Sequence, residues 1–577
     1  PVSGISLVKA GSGTLVFNGL NSLSNLHSLA GSLVLAPNGG SSSETTVSGA
    51  FYGYGGGVVC SNSTLTIAAN SFVRAGGSLT LVDDSVLNVG NIRFGYTSAG
   101  RGDFIVDGST VTSSGALLVG SASSTYDNAG NVIFTNGSNV TFADLTNRCG
   151  FIRQYGGSVK FTRAFHSGTS WSVTNLYELN SGEFESSSTG NSAFRMGVAG
   201  TDGAPYAIFR VNGGRAVIRS RYPSFGYGKG GNENNKSGNR GRLEVYGGEV
   251  EFLRSGADAQ LRIGNQDYGY MIVTNGSVNV QGSILACYAP CRDSRTSQID
   301  LFKDAVVRTR QIRAVTNLSE TATTLVMDGA TLIAQANAYV NFVSNFCVAA
   351  VGVNGAIVDT EGQNIAIAQG FSAREGQTWP LDGIESPSGD DLAAAAAFTK
   401  AGEGVLTLTG SNTWACATCV SNGTLAANGE FSLPETTTLQ LCEGAVLDLC
   451  GRTHTVANLV GSGVVSNGAL VVTGAVWPGH RGGVLEFKGA TLAARKLSYA
   501  FGAEGICGCL VMDGAFDLTG VEITADNLVA KPTGGIVIIR AASINGTPTS
   551  ALTGANALSV FPTAVRIGLS GMRILIR

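Results

Sequence analysis

Residues 104–111 read FIVDGSTV, residues 132–140 VIFTNGSNV, and residues 271–280 MIVTNGSVNV. Each is an alternating apolar and polar strand, a turn built on Asp-Gly or Asn-Gly, and a second strand. The same unit returns as FRVNGGRAVI (209–218), LEVYGGEVEF (243–252), LVMDGATLI (325–333) and LVMDGAFDL (510–518). A second mark, an apolar strand ending in glycine, accompanies several copies: LLVG (117–120), FRMG (194–197) and LRIG (261–264). From Gly108 to Gly137, and from Gly247 to Gly276, the anchor spacing is 29 residues. Other spacings vary, as loops of different length on a constant rung would make them. Alternation with period two marks strands with one buried face. A lone unit cannot bury that face, whereas stacked units can, with the backbone ladder running from coil to coil. The reading is an all-β, single-stranded, right-handed parallel β-helix, an elongated β-solenoid.

Composition agrees. Of 577 residues, 81 are glycine and 13% are charged, while 43% are hydrophobic. Such a chain can bury a core and is not disordered. Ser, Thr, Asn and Gly replace the missing charge, and Gly and Asn supply positive-φ turn positions. A string of β-sandwiches would call for aromatic-rich cores and evenly spaced strands. Small apolar residues and Asn-Gly turns favour the solenoid. A net charge of −3 and a pI near 5.9 exclude an obvious nucleic-acid partner. No apolar run is long enough to span a bilayer. The chain begins at Pro1 and shows no signal peptide, which is read as processing or trimming of an exported protein.

Two segments share a longer pattern: LVKAGSGTLVFNGLNSLSNLHSLAGSLVLA (7–36) and FTKAGEGVLTLTGSNTWACATCVSNGTLAA (398–427). Both carry Lys-Ala-Gly-x-Gly, an alternating strand, Gly-x-Asn, and a closing Gly-[Ser/Thr]-Leu strand. Lys9 matches Lys400, Gly19 matches Gly410 and Asn21 matches Asn412. These segments resemble the passenger-associated transport repeat of bacterial autotransporter passengers. Residues 353–369 and 454–474 are in the same style. The resemblance implies an extracellular or cell-surface bacterial β-helix serving as a stalk, adhesin or coat, and it does not imply a catalytic activity. The second copy departs from the pattern at Trp414, Cys416 and Cys419, where Tyr, Thr and Gly are expected. No stretch reads as a translocator barrel, so either a barrel was removed or export takes another route.

The chemistry-bearing residues are few. His27, His166, His454 and His480 match no metal spacing, and no metal or cofactor is expected. Asp83-Asp84 and Asp390-Asp391 are adjacent pairs, which a strand would send to opposite faces. A carboxylate cluster assembled from several coils would instead point to a polysaccharide lyase or hydrolase, or an acidic-glycan-binding module. Arg101-Gly102-Asp103 matches an integrin-recognition tripeptide by a short motif that recurs by chance. Residues 206–242 hold eight basic residues against one acid, Glu233, with five interleaved aromatics. Within them Arg210, Arg215, Arg219, Arg221, Tyr222 and Tyr227 form the glycan-binding candidate, since guanidinium forks suit carboxylate and sulfate groups and aromatic faces stack on sugars. The alternative is a solvated face compensated by acids on neighbouring coils.

Eleven cysteines fall mostly in close groups: Cys287/Cys291, Cys416/Cys419, Cys442/Cys450 and Cys507/Cys509, with Cys60, Cys149 and Cys347 apart. In an exported protein these groups are disulfide candidates. Cys287 and Cys291 flank a short loop with Pro290 and are expected to be bridged, and Cys507 and Cys509 could each reach a neighbouring coil. The chain divides into opening coils (1–76), a regular solenoid (77–370), a loop excursion (371–397) and a C-terminal solenoid (398–577). Strand-like ends, with Ile5 and Leu7 at one and Ile574 and Ile576 at the other, make head-to-tail self-assembly the expected partnership. The functional reading is a surface rod, adhesin or fibre subunit, with polysaccharide as a second partner.

Overall fold

The structure is a computed structural model. It describes residues 2–39, 42–74, 76–95, 100–120, 130–169, 174–198, 205–228, 238–253, 260–288, 296–315, 322–374, 397–479, 482–501, 507–526, 536–550, 552 and 557–567. The chain forms two compact units, Pro1–Thr324 and Leu325–Arg577. Among the described residues there is no α-helix, and each unit is a parallel β-helix.

In the first unit a coil has three short strands, and each pairs in parallel with its counterpart one coil on. Tyr206–Val211, Arg215–Ile218 and Ser224–Tyr227 make one coil; Arg240–Val245, Glu249–Phe252 and Gln260–Asn265 make the next. The register sets Tyr206 against Arg240 and Arg240 against Tyr268, 34 and 28 residues apart. Alternate side chains point inward. In Gly102–Asp107, Phe104 and Val106 are fully buried, and Phe94 stacks on Phe104 at 4.6 Å. The Asn-Gly turns behave as the sequence requires, with φ +50° at Asn136, +78° at Gly137 and +52° at Asn275. At one corner the buried serines form a ladder. The Ser63 backbone N–H donates to Ser85 Oγ (3.2 Å), and the Ser85 N–H donates to Ser109 Oγ (3.1 Å). Each hydroxyl thereby accepts from a backbone donor of the preceding coil at the bend.

One expectation is corrected here. The core is not built of small apolar residues alone. Phe161, Phe165, Tyr177, Phe184, Phe194, Phe209 and Phe225 form a continuous aromatic stack, with Phe165 on Phe194 at 4.6 Å and Phe184 on Phe209 at 5.1 Å. Buried Tyr177 donates its hydroxyl to Gln154 Oε1 at 2.8 Å. Aromatics fill a solenoid as well as a sandwich, because one inward position per strand recurs at the same place in every coil.

In the second unit Val405 faces Thr424, and Thr424 faces Val446. Longer strands follow, Val464–Pro478 and Val484–Ala500. Near the C-terminal end of the described residues the pairing reverses. Ala564–Ile567 runs antiparallel to Ile536–Arg540 and to Leu558–Val560, where the sequence suggests a further parallel strand.

Candidate functional site

The two segments with the Lys-Ala-Gly pattern fold alike. Lys400 belongs to Ala397–Ala401, its side chain is fully buried, and its ammonium donates to Ala401 O (2.8 Å), Gly402 O (2.6 Å), Asn422 O (3.0 Å) and Thr360 Oγ1 (3.1 Å). Lys9 likewise donates to Ala10 O (3.3 Å), Gly11 O (2.7 Å) and Ala30 O (2.9 Å). Each lysine thus ties the turn it opens to the corresponding turn of the next coil. Burial pushes the Lys400 ammonium down to about 8, opposed by Asp359. The closing Gly-[Ser/Thr]-Leu explains itself. A Cβ at Gly423 would lie 2.6 Å from Gly402 O and Gly404 O and 2.9 Å from Lys400 Nζ; at Gly31 it would meet Gly11 O, Gly13 O and Lys9 Nζ. Asn412 is also buried. It donates to Gly410 O (3.1 Å) and Ser432 O (2.8 Å) and accepts from the Phe371 N–H (2.8 Å). Asn21 donates to Gly19 O and Thr45 Oγ1, both at 3.4 Å.

The structure separates the glycan candidates into two groups. On one face, arginines and glutamates alternate along the register Arg153, Glu178, Arg210, Glu244. Arg210 meets Glu244 at 2.6 Å and Glu178 at 3.5 Å, and Glu244 also receives Arg242 at 2.5 Å. Arg215 pairs with Glu249 (3.7 Å) and Glu251; Arg219 pairs with Glu185 (3.1 Å), which Lys160 also reaches (2.9 Å). Burial works against the Glu185 charge, yet hydrogen bonds from Lys160 and Arg219 hold its carboxyl below the usual range. Arg210, Arg215 and Arg219 are therefore compensated by acids one coil away. Lys229, Glu233 and Lys236 lie outside the described residues.

Arg221, Tyr222 and Tyr227 belong to a different face. The register there runs His166, Arg195, Ser224, Arg262, Leu285, Arg313. The strands Phe194–Val198, Ser224–Tyr227, Gln260–Asn265, Ser283–Tyr288 and Gln311–Ala314 contain no Asp or Glu. Aromatic rings lie against the arginines of this face. Arg262 lies 4.1 Å from the Tyr222 ring centre and 3.5 Å from that of Tyr288, Arg195 is 4.2 Å over Tyr227, and Arg221 is 5.0 Å from Tyr222. Arg262 is buried and fixed by Gln260 Oε1. Burial lowers its guanidinium, against the opposing influence of Tyr288, Tyr222 and Tyr227. Arg195, Arg313, Tyr222, Tyr227 and Tyr288 remain partly exposed.

Two copies of one lysine-tied turn, each bridging successive coils, are what a repeat family would leave in a solenoid. The passenger-associated-transport-repeat family matches at residues 7–25 and 398–427. The chain carries autotransporter passenger repeats. No curated protein and no solved structure is significantly similar to it. The first match stops at residue 25, but the passenger-repeat geometry continues to Ala30 and Gly31, the partners of Lys9. At the departures in the second passenger repeat, buried Trp414 stacks on Phe398 at 4.2 Å and donates Nε1–H to Thr418 Oγ1 (3.1 Å).

The cysteines are arranged differently from their sequence grouping. Cys416 is buried whereas Cys419 lies on the outer face, so these two are not brought together. The thiol next to Cys419 is Cys442, on the following coil. Cys450 donates to Asp448 O (3.7 Å). Cys507 and Cys509 sit together beside buried Tyr499, and burial pushes Cys507 up to about 11. Cys287 is buried with φ +52°, and Cys291 lies outside the described residues.

Other candidates have local roles. Asp83 and Asp84 are turn residues with φ +54° and +57°, not strand neighbours, and Asp83 accepts from Ser61. Arg101 and Asp103 pair with each other at 2.9 Å. His27 stacks on Tyr52 (4.9 Å), and His454 Nε2 is 3.0 Å from Ala427 O. Among the described residues no three His, Cys, Asp or Glu side chains gather as a metal site. Ile5 is 51% exposed and Leu7 is partly buried on the strand Ser3–Lys9. His480, Asp390, Asp391, Ile574, Ile576 and most of the excursion, 375–396, lie outside the described residues. No helix among the described residues is long and apolar enough to cross a membrane.

Proposed function

We propose that this chain is an extracellular or surface-held bacterial scaffold whose arginine–tyrosine face makes adhesive contact with acidic polysaccharide. The observation that carries this reading is the acid-free register through Arg195, Arg262 and Arg313, with Tyr222, Tyr227 and Tyr288 around it. Arginine forks suit carboxylates and sulfates. The partly exposed tyrosines beside them offer apolar ring surface to sugars. Buried Arg262 acts as a positioning residue that holds two of the rings. A carbohydrate-cleaving reading calls for two carboxylates across one glycosidic bond. The cross-coil carboxylates Glu178, Glu185 and Glu244 are each engaged by arginine instead. The test is calorimetric titration with heparin and with polygalacturonate at low and high salt. Arg195→Ser with Arg313→Ser should weaken binding roughly tenfold and flatten its salt dependence, while Arg210→Ser with Arg215→Ser should leave it nearly unchanged. No binding by the parent chain, or equal loss from both double variants, overturns the proposal.

A further inference from the structure

We propose that Cys419 and Cys442 are a covalent modification site, forming an inter-coil disulfide by exchange with an external disulfide. Ala417–Val420 and Thr438–Leu441 are parallel neighbours, with Cys419 opposite Gln440 and Val420 opposite Leu441. Side chains alternate along both strands: Thr418, Val420, Leu439 and Leu441 point inward, so Cys419, Gln440 and Cys442 share the outer face. Cys442 is the point at which the strand becomes a turn. Its N–H still donates to Val420 O (3.0 Å), while its own carbonyl accepts from the Ala445 N–H (3.1 Å). The two thiols are thus diagonal neighbours on that face and influence each other's ionisation.

A disulfide needs Cα atoms within about 7 Å. Diagonal neighbours on a sheet face are separated by about 7–8 Å. The pair therefore starts at the edge of the allowed range, and Cys442, at the end of its strand, can move the remaining distance with its turn. The chemistry is also polarised. The neighbouring Cys419 thiol outweighs burial and brings Cys442 down to about 7, while Cys442 and burial push Cys419 well up. Cys442 is thus the attacking thiolate.

In the first step the Cys442 thiolate attacks one sulfur of R–S–S–R, forming a Cys442–S–S–R mixed disulfide and releasing RS⁻. In the second, Cys419 loses its proton and attacks Cys442 Sγ, forming the Cys419–Cys442 bond and releasing the second RS⁻. Two electrons pass from the cysteine pair to the external disulfide, and the two thiol protons end on the two released thiols. The product ties the coil of the second passenger repeat to the coil after it.

The experiment uses the full chain, reduced, then treated with oxidised glutathione, alkylated, digested and mapped by mass spectrometry. The expected result is a Cys419–Cys442 cross-linked peptide. Cys419→Ala should trap glutathione on Cys442, and its alkylation midpoint, near 7 in the parent, should move upward. Cys442→Ala should leave Cys419 slow to react. Cys442 recovered bonded to Cys450, or Cys419 and Cys442 both alkylated in the parent while exchange proceeds elsewhere, overturns the proposal. Mapping the parent chain decides this even if a variant fails to fold.

Discussion

Lys400 and Gly423 show how much of a repeat motif is physical necessity. A buried ammonium replaces the water that would otherwise satisfy three turn carbonyls, and the glycine leaves the space it occupies. Lys400→Met keeps the apolar stem but strands those acceptors, which should cost about 3 kcal/mol of stability. Gly423→Ala places a side chain at φ +67° against Lys400 Nζ, for a cost of about 1–3 kcal/mol. Urea unfolding followed by fluorescence of buried Trp414 would report both. The correspondence of Lys9 with Lys400 was legible from sequence; their role was not, because the acceptors at Ala30 and Asn422 lie beyond the turn itself. Arg210 teaches the same lesson. Its local surroundings read as an excess of positive charge, yet Glu178 and Glu244 face it from neighbouring coils, 32 and 34 residues away. Only the register reveals them, and variable loops conceal the register.

At the scale of strands and coils, alternation was sufficient to identify inward faces and turns, since period-two burial and Asn-Gly corners are local properties. What escaped were particular contacts made by stacking: the serine ladder, the Phe165–Phe194 stack, and the placing of Cys419 beside Cys442 instead of Cys416. His454, in the strand Val446–Val456, is another such case, buried against the carbonyl of Ala427 one coil back. Burial lowers its imidazole pKa from 6.5, aided by Arg452 and opposed by the hydrogen bond to Ala427. Above about 6.5 the ring is neutral in both folded and unfolded chains. As pH falls below that value the unfolded chain takes up the proton first. Stability is therefore lost as pH drops toward the folded pKa and levels off beneath it. The urea midpoint of the second unit should fall across this window, and His454→Gln should remove part of the slope.

For the molecule as a whole, each unit is a stack whose architecture was readable because it repeats, while the junction between units at Thr324 and Leu325 carries no compositional mark. The first strand presents Ile5 and Val8 at 51% and 54% exposure, with Leu20 at 64% nearby. Exposed apolar side chains along a strand invite contact with a second copy. Self-association rising with concentration is expected by analytical ultracentrifugation, and Ile5→Lys with Val8→Lys should suppress it; a monomer at all concentrations would exclude this contact.

The coil-to-coil register also governs kinetics. Parallel strands find their partners one coil along the chain, as 28 residues on from Arg240 to Tyr268 or 19 from Val405 to Thr424. Loop closure over such distances is cheap and changes only slowly with length. A newly available segment therefore needs only the preceding coil as a template and does not have to wait for distant chain. Growth can proceed as a travelling front, and the slow event is the formation of the first pair of coils.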